Sequence, residues 1–182
     1  MTKTRIGKVT TKSGDKGSTK LATGRSLAKH HIFIRTLGSI DELNSNIGVL
    51  LSYDELSPYR EFLADIQQSL FDLGALVAMQ GEYVAPSPSE LDEQISQLNT
   101  SLAPLTEFVL PGGTPACAHA HVCRAVCRRA ELELWASVSE EPKLEPGAQY
   151  LNRLSDYFFV LARSLAQHEP QWRGPQQPAS PT

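Results

Sequence analysis

Two arginines and a glutamate stand at helical spacing in the stretch FVLPGGTPACAHAHVCRAVCRRAE, residues 108–131, and these side chains suit the holding of anions. At about 100° per residue, His121, Arg124, Arg128 and Glu131 fall on one helix face, while Val122, Cys123, Val126, Ala130 and Leu134 form a separate apolar stripe. Arginine stays charged at working pH and presents a planar fork of donors that matches phosphate or carboxylate oxygens. Pro111, Gly112 and Gly113 end the preceding segment, and Thr114 is placed to cap the helix with Pro115 at its first position. Taken alone, RAVCRRAE would more readily be a salt-bridged surface.

A second anion-binding signal lies at the N-terminus, in TTKSGDKGST, residues 10–19. Its glycines let backbone amides approach a ligand, its lysines neutralise charge and its hydroxyls can bond oxygens, which together is phosphate chemistry. The spacing is not that of a Walker loop, and no apolar strand leads in. Around it Lys3, Arg5, Lys8, Lys12, Lys16, Lys20, Arg25 and Lys29 face the single acid Asp15, so the chain starts basic on an otherwise acidic body. A solvated basic arm is the alternative reading of this segment.

Elements to position these residues follow from apolar periodicity. Ser39 to Tyr53 opens with a capping box, Ser39 and Glu42, and carries Ile40, Leu43, Ile47 and Leu50 on one stripe. Pro58 to Met79 repeats the pattern with Phe62, Ile66, Leu70, Leu73 and Val77. After a loop with Pro86 and Pro88, Ser89 caps a third segment with Leu91, Ile95, Leu98 and Leu102 facing inward. A fourth helix is predicted over 114–137 and a fifth over 147–167, separated by the break at 140–146. In the fifth, Asn152, Asp156, Phe159 and Arg163 share a face, and Leu151, Leu154, Phe158, Leu161 and Leu165 form the core stripe. The expected fold is all-α, a five-helix antiparallel bundle over 39–167 preceded by a Gly-rich basic loop over 1–30. These make a single domain, residues 1–168, and the polar, proline-rich residues 169–182 are expected to be a disordered tail.

Composition sets outer bounds. At 182 residues one domain can bury a substantial core, and a net charge of −3 gives no global field for nucleic acid. Three cysteines, all within 117–127, fit a reducing compartment better than a disulfide framework. No apolar run approaches a membrane span, and the start lacks the apolar core of a secretory signal, so a cytoplasmic location is expected. Cys117, His119, His121, Cys123 and Cys127 lack a second ligand cluster for zinc, and small apolar packing accounts for the cysteines; no protein metal site is expected.

Read together in chain order, TTKSGDKGST, GSIDELNSNIG (38–48), IQQSLFDLGA (66–75), the 108–131 stretch and YLNRLSDYFFVLAR (150–163) resemble the PduO-type ATP:cob(I)alamin adenosyltransferases. The resemblance implies the ferritin-like, cobalamin adenosyltransferase-like five-helix bundle, assembled as a homotrimer with active sites between subunits. It implies transfer of the 5′-deoxyadenosyl group of ATP to the cobalt of cob(I)alamin, with ATP, Mg²⁺ and cobalamin as ligands. An electron-donating reductase and an adenosylcobalamin-dependent enzyme are the implied partners.

Residue by residue, the resemblance places Thr11, Lys12, Ser13, Gly14, Thr19, Lys20 and Lys29 at ATP, with Arg128, Arg129, Glu131 and Asn152. It pairs Arg124 with Asp41 across the subunit boundary and lets Arg153 and Asp156 support the pocket. It sets Phe108 against the lower face of the corrin, where the ring excludes the dimethylbenzimidazole base and leaves cobalt four-coordinate. No DxHxxG sequence is present to supply the usual histidine ligand. Two positions depart from the family pattern: Ser13 replaces a threonine but keeps the hydroxyl, and Leu132 stands where an arginine is common. The rival readings are a non-catalytic nucleotide- or corrinoid-binding protein and a structural helical oligomer.

Overall fold

The computed structural model describes Lys12 and residues 14–175. Thr11 and Ser13, both expected at the nucleotide, lie outside the described residues. Five helices carry the fold: α1 (Ile32–Leu50), α2 (Arg60–Ala78), α3 (Ser89–Asn99), α4 (Pro115–Val138) and α5 (Glu145–Leu165). They pack as an antiparallel bundle in which α4 lies against α5 and α1, α2 against α1, and α3 against α5. Short 3₁₀ turns, Asp54–Tyr59 and Pro142–Leu144, lead into α2 and α5. Among the described residues no helix is long and apolar enough to cross a membrane.

The first helix begins earlier than its capping box suggests. Ser39 sits inside α1, and the N-cap is His31, whose Nδ1 accepts from the Phe33 amide at 3.3 Å. Tertiary packing overrides the local cap signal, because the buried stripe of Ile40, Leu43, Ile47 and Leu50 extends back through Thr36 and Phe33. Thr36 Oγ1 is satisfied on α4 by the Glu133 carbonyl at 3.0 Å and the Ser137 hydroxyl at 2.9 Å. Ser89 likewise is the first residue of α3 rather than its cap, which is Pro88.

Before α1 the chain is not wholly irregular. Strands β1 (Ser18–Lys20) and β2 (Ser26–Ala28) pair antiparallel, Thr19 opposite Leu27. Gly24, at φ +87°, makes the turn, and buried Leu21 and Leu27 tie the hairpin to the bundle.

Thr114 caps α4 as expected, its hydroxyl accepting from the Cys117 amide at 3.2 Å with Pro115 at the first turn. Cys123, Val126, Ala130 and Leu134 are buried, but Val122 is 45% exposed and does not belong to the apolar stripe. All three cysteines are buried; Cys117 and Cys127 donate weakly to the carbonyls of Ala162 and Leu151, each at 3.2 Å. Burial pushes the Cys123 thiol up to about 12.

The tail expected from Glu169 onward is held over its first residues. Leu110 donates to the Pro170 carbonyl and Trp172 to the Phe108 carbonyl, both at 2.8 Å, around an antiparallel bridge between Val109 and Gln171. Residues 176–182 lie outside the described part.

Candidate active site

Because α4 and α5 run antiparallel, their polar faces meet in reverse order. Near the middle of α4 the Arg124 guanidinium lies 5.4 Å from the centre of the Phe159 ring on α5. Toward its end, Asn152 Nδ2 of α5 donates to Glu131 Oε1 at 3.1 Å. Arg128 and Asp156 fall between these two contacts by helical spacing, and both act on the charge of Arg124. The expected face of α4 and the expected face of α5 therefore form one continuous polar seam.

A cleft opens at each end of the seam. The first, of about 610 Å³, is lined by Phe108, Val109, Pro111, His121, Arg124 and Phe159 among others. The second, of about 500 Å³, is lined by Pro88, Glu131, Trp135, Gln149, Asn152 and Arg153. Glu131 Oε1 also accepts from Trp135 Nε1 at 3.3 Å, which fixes the carboxylate between a helix neighbour and α5.

Phe108 is 74% exposed, with its ring 6.1 Å from that of Trp172. A large aromatic ring this exposed beside a cleft is a ready contact for a flat apolar ligand. At the floor, His121 is buried, its Nδ1 without a hydrogen-bond partner. Burial first, then the Arg124 charge, lowers its pKa below the ordinary histidine value of 6.5 against an opposing pull from Glu169. Burial and Arg128 also lower the pKa of Arg124, while Asp156 raises it.

The other arginines divide. Arg129 forms an ion pair with Glu42 on α1. Arg153 Nε lies 2.7 Å from Asp92 on α3, and its Nη1 3.1 Å from Asp156, so it braces the seam from outside. Arg163 is not on the open face: it is buried, held by Glu169 through Nε at 2.7 Å and Nη2 at 3.1 Å.

The N-terminal residues form a separate group. A Cβ at Gly14 would lie 2.9 Å from both Cε and Nζ of Lys29, so that lysine folds over the glycine. Thr19 and Lys20 are on β1, and Lys12 holds φ +58°. The hairpin rests on the start of α1, where Arg25 lies 5.9 Å from the Phe33 ring, and none of its lysines lines either cleft. Asp41 is also apart, exposed in a shallow cleft between α1 and α2 with Leu37, Asn44 and Phe71, away from Arg124. Among the described residues no group of three or more His, Cys, Asp or Glu could hold a metal ion.

Trp135, Gln149, Glu169 and Trp172 were not among the expected site residues. Trp135 could have been found, four residues past Glu131 on the same face. Trp172 could not, because it lies in a polar, proline-containing stretch without periodicity.

Residues 9–165 match the family model described as cobalamin adenosyltransferase. A cobalamin adenosyltransferase of Cupriavidus metallidurans is 44% identical over 164 residues, 88% of this chain and 89% of that protein. A corrinoid adenosyltransferase of Bacillus subtilis is 40% identical over 167 residues, 86% of this chain and 85% of that protein. Among solved structures, a Phe-to-Ala variant of a PduO-type ATP:corrinoid adenosyltransferase from Lactobacillus reuteri, complexed with cobalamin and ATP, superposes with a TM-score of 0.87. It is 31% identical and covers 92% of this chain and 100% of that chain. With the motifs in order, the bundle reproduced and nearly the whole length matched, this chain belongs to the cobalamin adenosyltransferase family.

Proposed function

We propose that the protein transfers the 5′-deoxyadenosyl group of ATP to the cobalt of cob(I)alamin, giving adenosylcobalamin and triphosphate. The observation that carries this reading is the α4–α5 seam, a line of polar groups ending at the exposed Phe108. The relatives named above support it, since they are called corrinoid or cobalamin adenosyltransferases, and one is complexed with both cobalamin and ATP.

Cobalt(I) supplies the electron pair that forms the bond to the 5′ carbon. The bond from that carbon to the phosphate oxygen breaks, and its electrons leave with triphosphate. No general base is required. The protein's tasks are to align the two substrates and to stabilise charge on the departing oxygens. Arg128, with no ion-pair partner among the described residues, and the lysines of the N-terminal segment, Lys12, Lys20 and Lys29, serve the triphosphate. Asn152 and Glu131, already bonded to each other, bind adenosine or its ribose, and Arg153, on the wall of the same cleft, supports the pocket with Asp156. Phe108 covers the lower corrin face and keeps the axial base off cobalt. A divalent ion such as Mg²⁺ would travel on the triphosphate oxygens and help neutralise their charge.

The distribution of these residues favours assembly. Asp41 and the lysine hairpin lie away from the α4–α5 seam of their own chain, so a site that uses both is built from two copies, as in a homotrimer. Mixing the protein with ATP, Mg²⁺ and chemically reduced cobalamin should yield adenosylcobalamin and triphosphate in equal amounts. Ligand binding without either product would instead favour a sensor or chaperone, and absence of binding a purely structural oligomer.

A further inference from the structure

Phe108 belongs to neither a helix nor a strand, yet its backbone is tied down on both sides to one point at the end of α5. On the upstream side, Arg163 Nη2 donates to the Ala103 carbonyl at 2.8 Å. On the downstream side, the same guanidinium grips both carboxylate oxygens of Glu169, at 2.7 and 3.1 Å. Glu169 begins the strap whose next residues pair with the Phe108 loop: Pro170 accepts from Leu110, and Trp172 donates to Phe108 itself. Trp172 then lays its ring beside Phe108, tilted 59° to it.

We infer that Arg163 and Glu169 are the positioning pair for Phe108, fixing the height and tilt at which its ring meets the corrinoid. This rests on the corrinoid reading of Phe108. Neither member lines the Phe108 cleft, so both act through the loop. The Arg163 side chain is 6% exposed, and a guanidinium so desolvated is held in one geometry only while an acceptor oxygen stands opposite it. An exposed ring on an irregular loop would otherwise sample many orientations, whereas keeping an axial base off a metal needs a ring placed to a fraction of an ångström. Arg163 accordingly serves the site from behind, although its side chain points away from the open face of α5.

The test compares Glu169→Ala, Glu169→Gln and Phe108→Ala with the parent at a temperature where all are folded. The readouts are thermal unfolding, steady-state kinetics and the magnetic circular dichroism signal of four-coordinate cob(II)alamin with ATP. Glu169→Ala should lose most of the four-coordinate signal and about 10- to 100-fold in kcat, the scale of a mispositioned reacting centre. Its KM for ATP should stay within about twofold, because nucleotide contacts are untouched. Glu169→Gln, which still accepts from Arg163, should recover most of the signal. A parental signal in Glu169→Ala, whatever its stability, alongside loss in Phe108→Ala, overturns the positioning role and leaves the corrinoid reading standing. A parental signal in Phe108→Ala overturns both.

Discussion

Arg129 on α4 closes an ion pair with Glu42 on α1, whereas Arg128, the residue before it, has no ion-pair partner among the described residues. One residue is about 100° of helix, so the two cations serve different faces. Arg129 braces α1 against α4; Arg128 stays available on the side of α5. Arg128→Ala is therefore expected to lower kcat/KM by more than about tenfold with little change in thermal stability. Arg129→Ala removes a pair that is half exposed at both partners and should cost no more than about 1 kcal/mol of stability. Steady-state kinetics on both variants check the division, and equal losses of turnover would mean that the Glu42 pair opens to let Arg129 reach the nucleotide.

Asp41 is exposed and has no ion-pair partner among the described residues. If Arg124 of a second copy is its partner, Asp41→Ala should leave the stability of a dissociated chain unchanged while weakening the assembly and its turnover. Losing one member of a pair buried on association costs about 3–5 kcal/mol. Sedimentation and rate measurements across protein concentration would show it, and parental behaviour in both would remove Asp41 from the site.

Gly147 gives a purely structural prediction. A Cβ there would lie 2.5 Å from Leu73 Cδ1, 3.2 Å from Leu76 Cδ2 and 3.3 Å from Leu134 Cδ2. The start of α5 packs against α2 and α4 only because this side chain is missing. Gly147→Ala should destabilise by about 1–3 kcal/mol through overpacking, despite the better helix propensity of alanine. Chemical denaturation measures it.

The pH dependence turns on His121. Its folded pKa is lowered, first by burial and then by Arg124, with Glu169 opposing. The unfolded chain thus binds more protons than the native one just below pH 6.5, and stability rises with pH through that window. The contribution is fully present above about pH 6.5, the unfolded value, and is lost as pH falls toward the folded pKa. His121→Gln should flatten the slope just below pH 6.5 in urea titrations. An unchanged slope would assign it to other groups.

Much of this arrangement is legible in the chain. Local signals located α4 well, because Thr114, Pro115 and the preceding glycines are decided within a few residues. The site faces of α4 and α5 were readable for the same reason, since spacing alone puts Arg124, Arg128 and Glu131 together and Asn152 with Asp156 and Phe159. What spacing could not reveal was partnership. Ser39 and Glu42 form a good capping signature, yet the packing of Phe33 and Thr36 against α4 carries the helix past it. Arg163 shares the periodicity of the site residues but is claimed by Glu169, from a segment whose composition gave no reason to expect a fixed structure. Val122 sits at the edge of the apolar stripe, where a small rotation decides between burial and exposure.

The chain has two tryptophans, and each stands at one end of the seam: Trp135 lines the cleft with Glu131 and Asn152, and Trp172 lies beside Phe108. The molecule therefore carries its own pair of optical reporters, one at each candidate subsite. A corrin ring absorbs in the region where indole emits, so a corrinoid bound at Phe108 would quench Trp172 by energy transfer most strongly, while nucleotide would perturb Trp135. Trp135→Phe and Trp172→Phe, titrated separately with each substrate, would show the order in which the two ends fill.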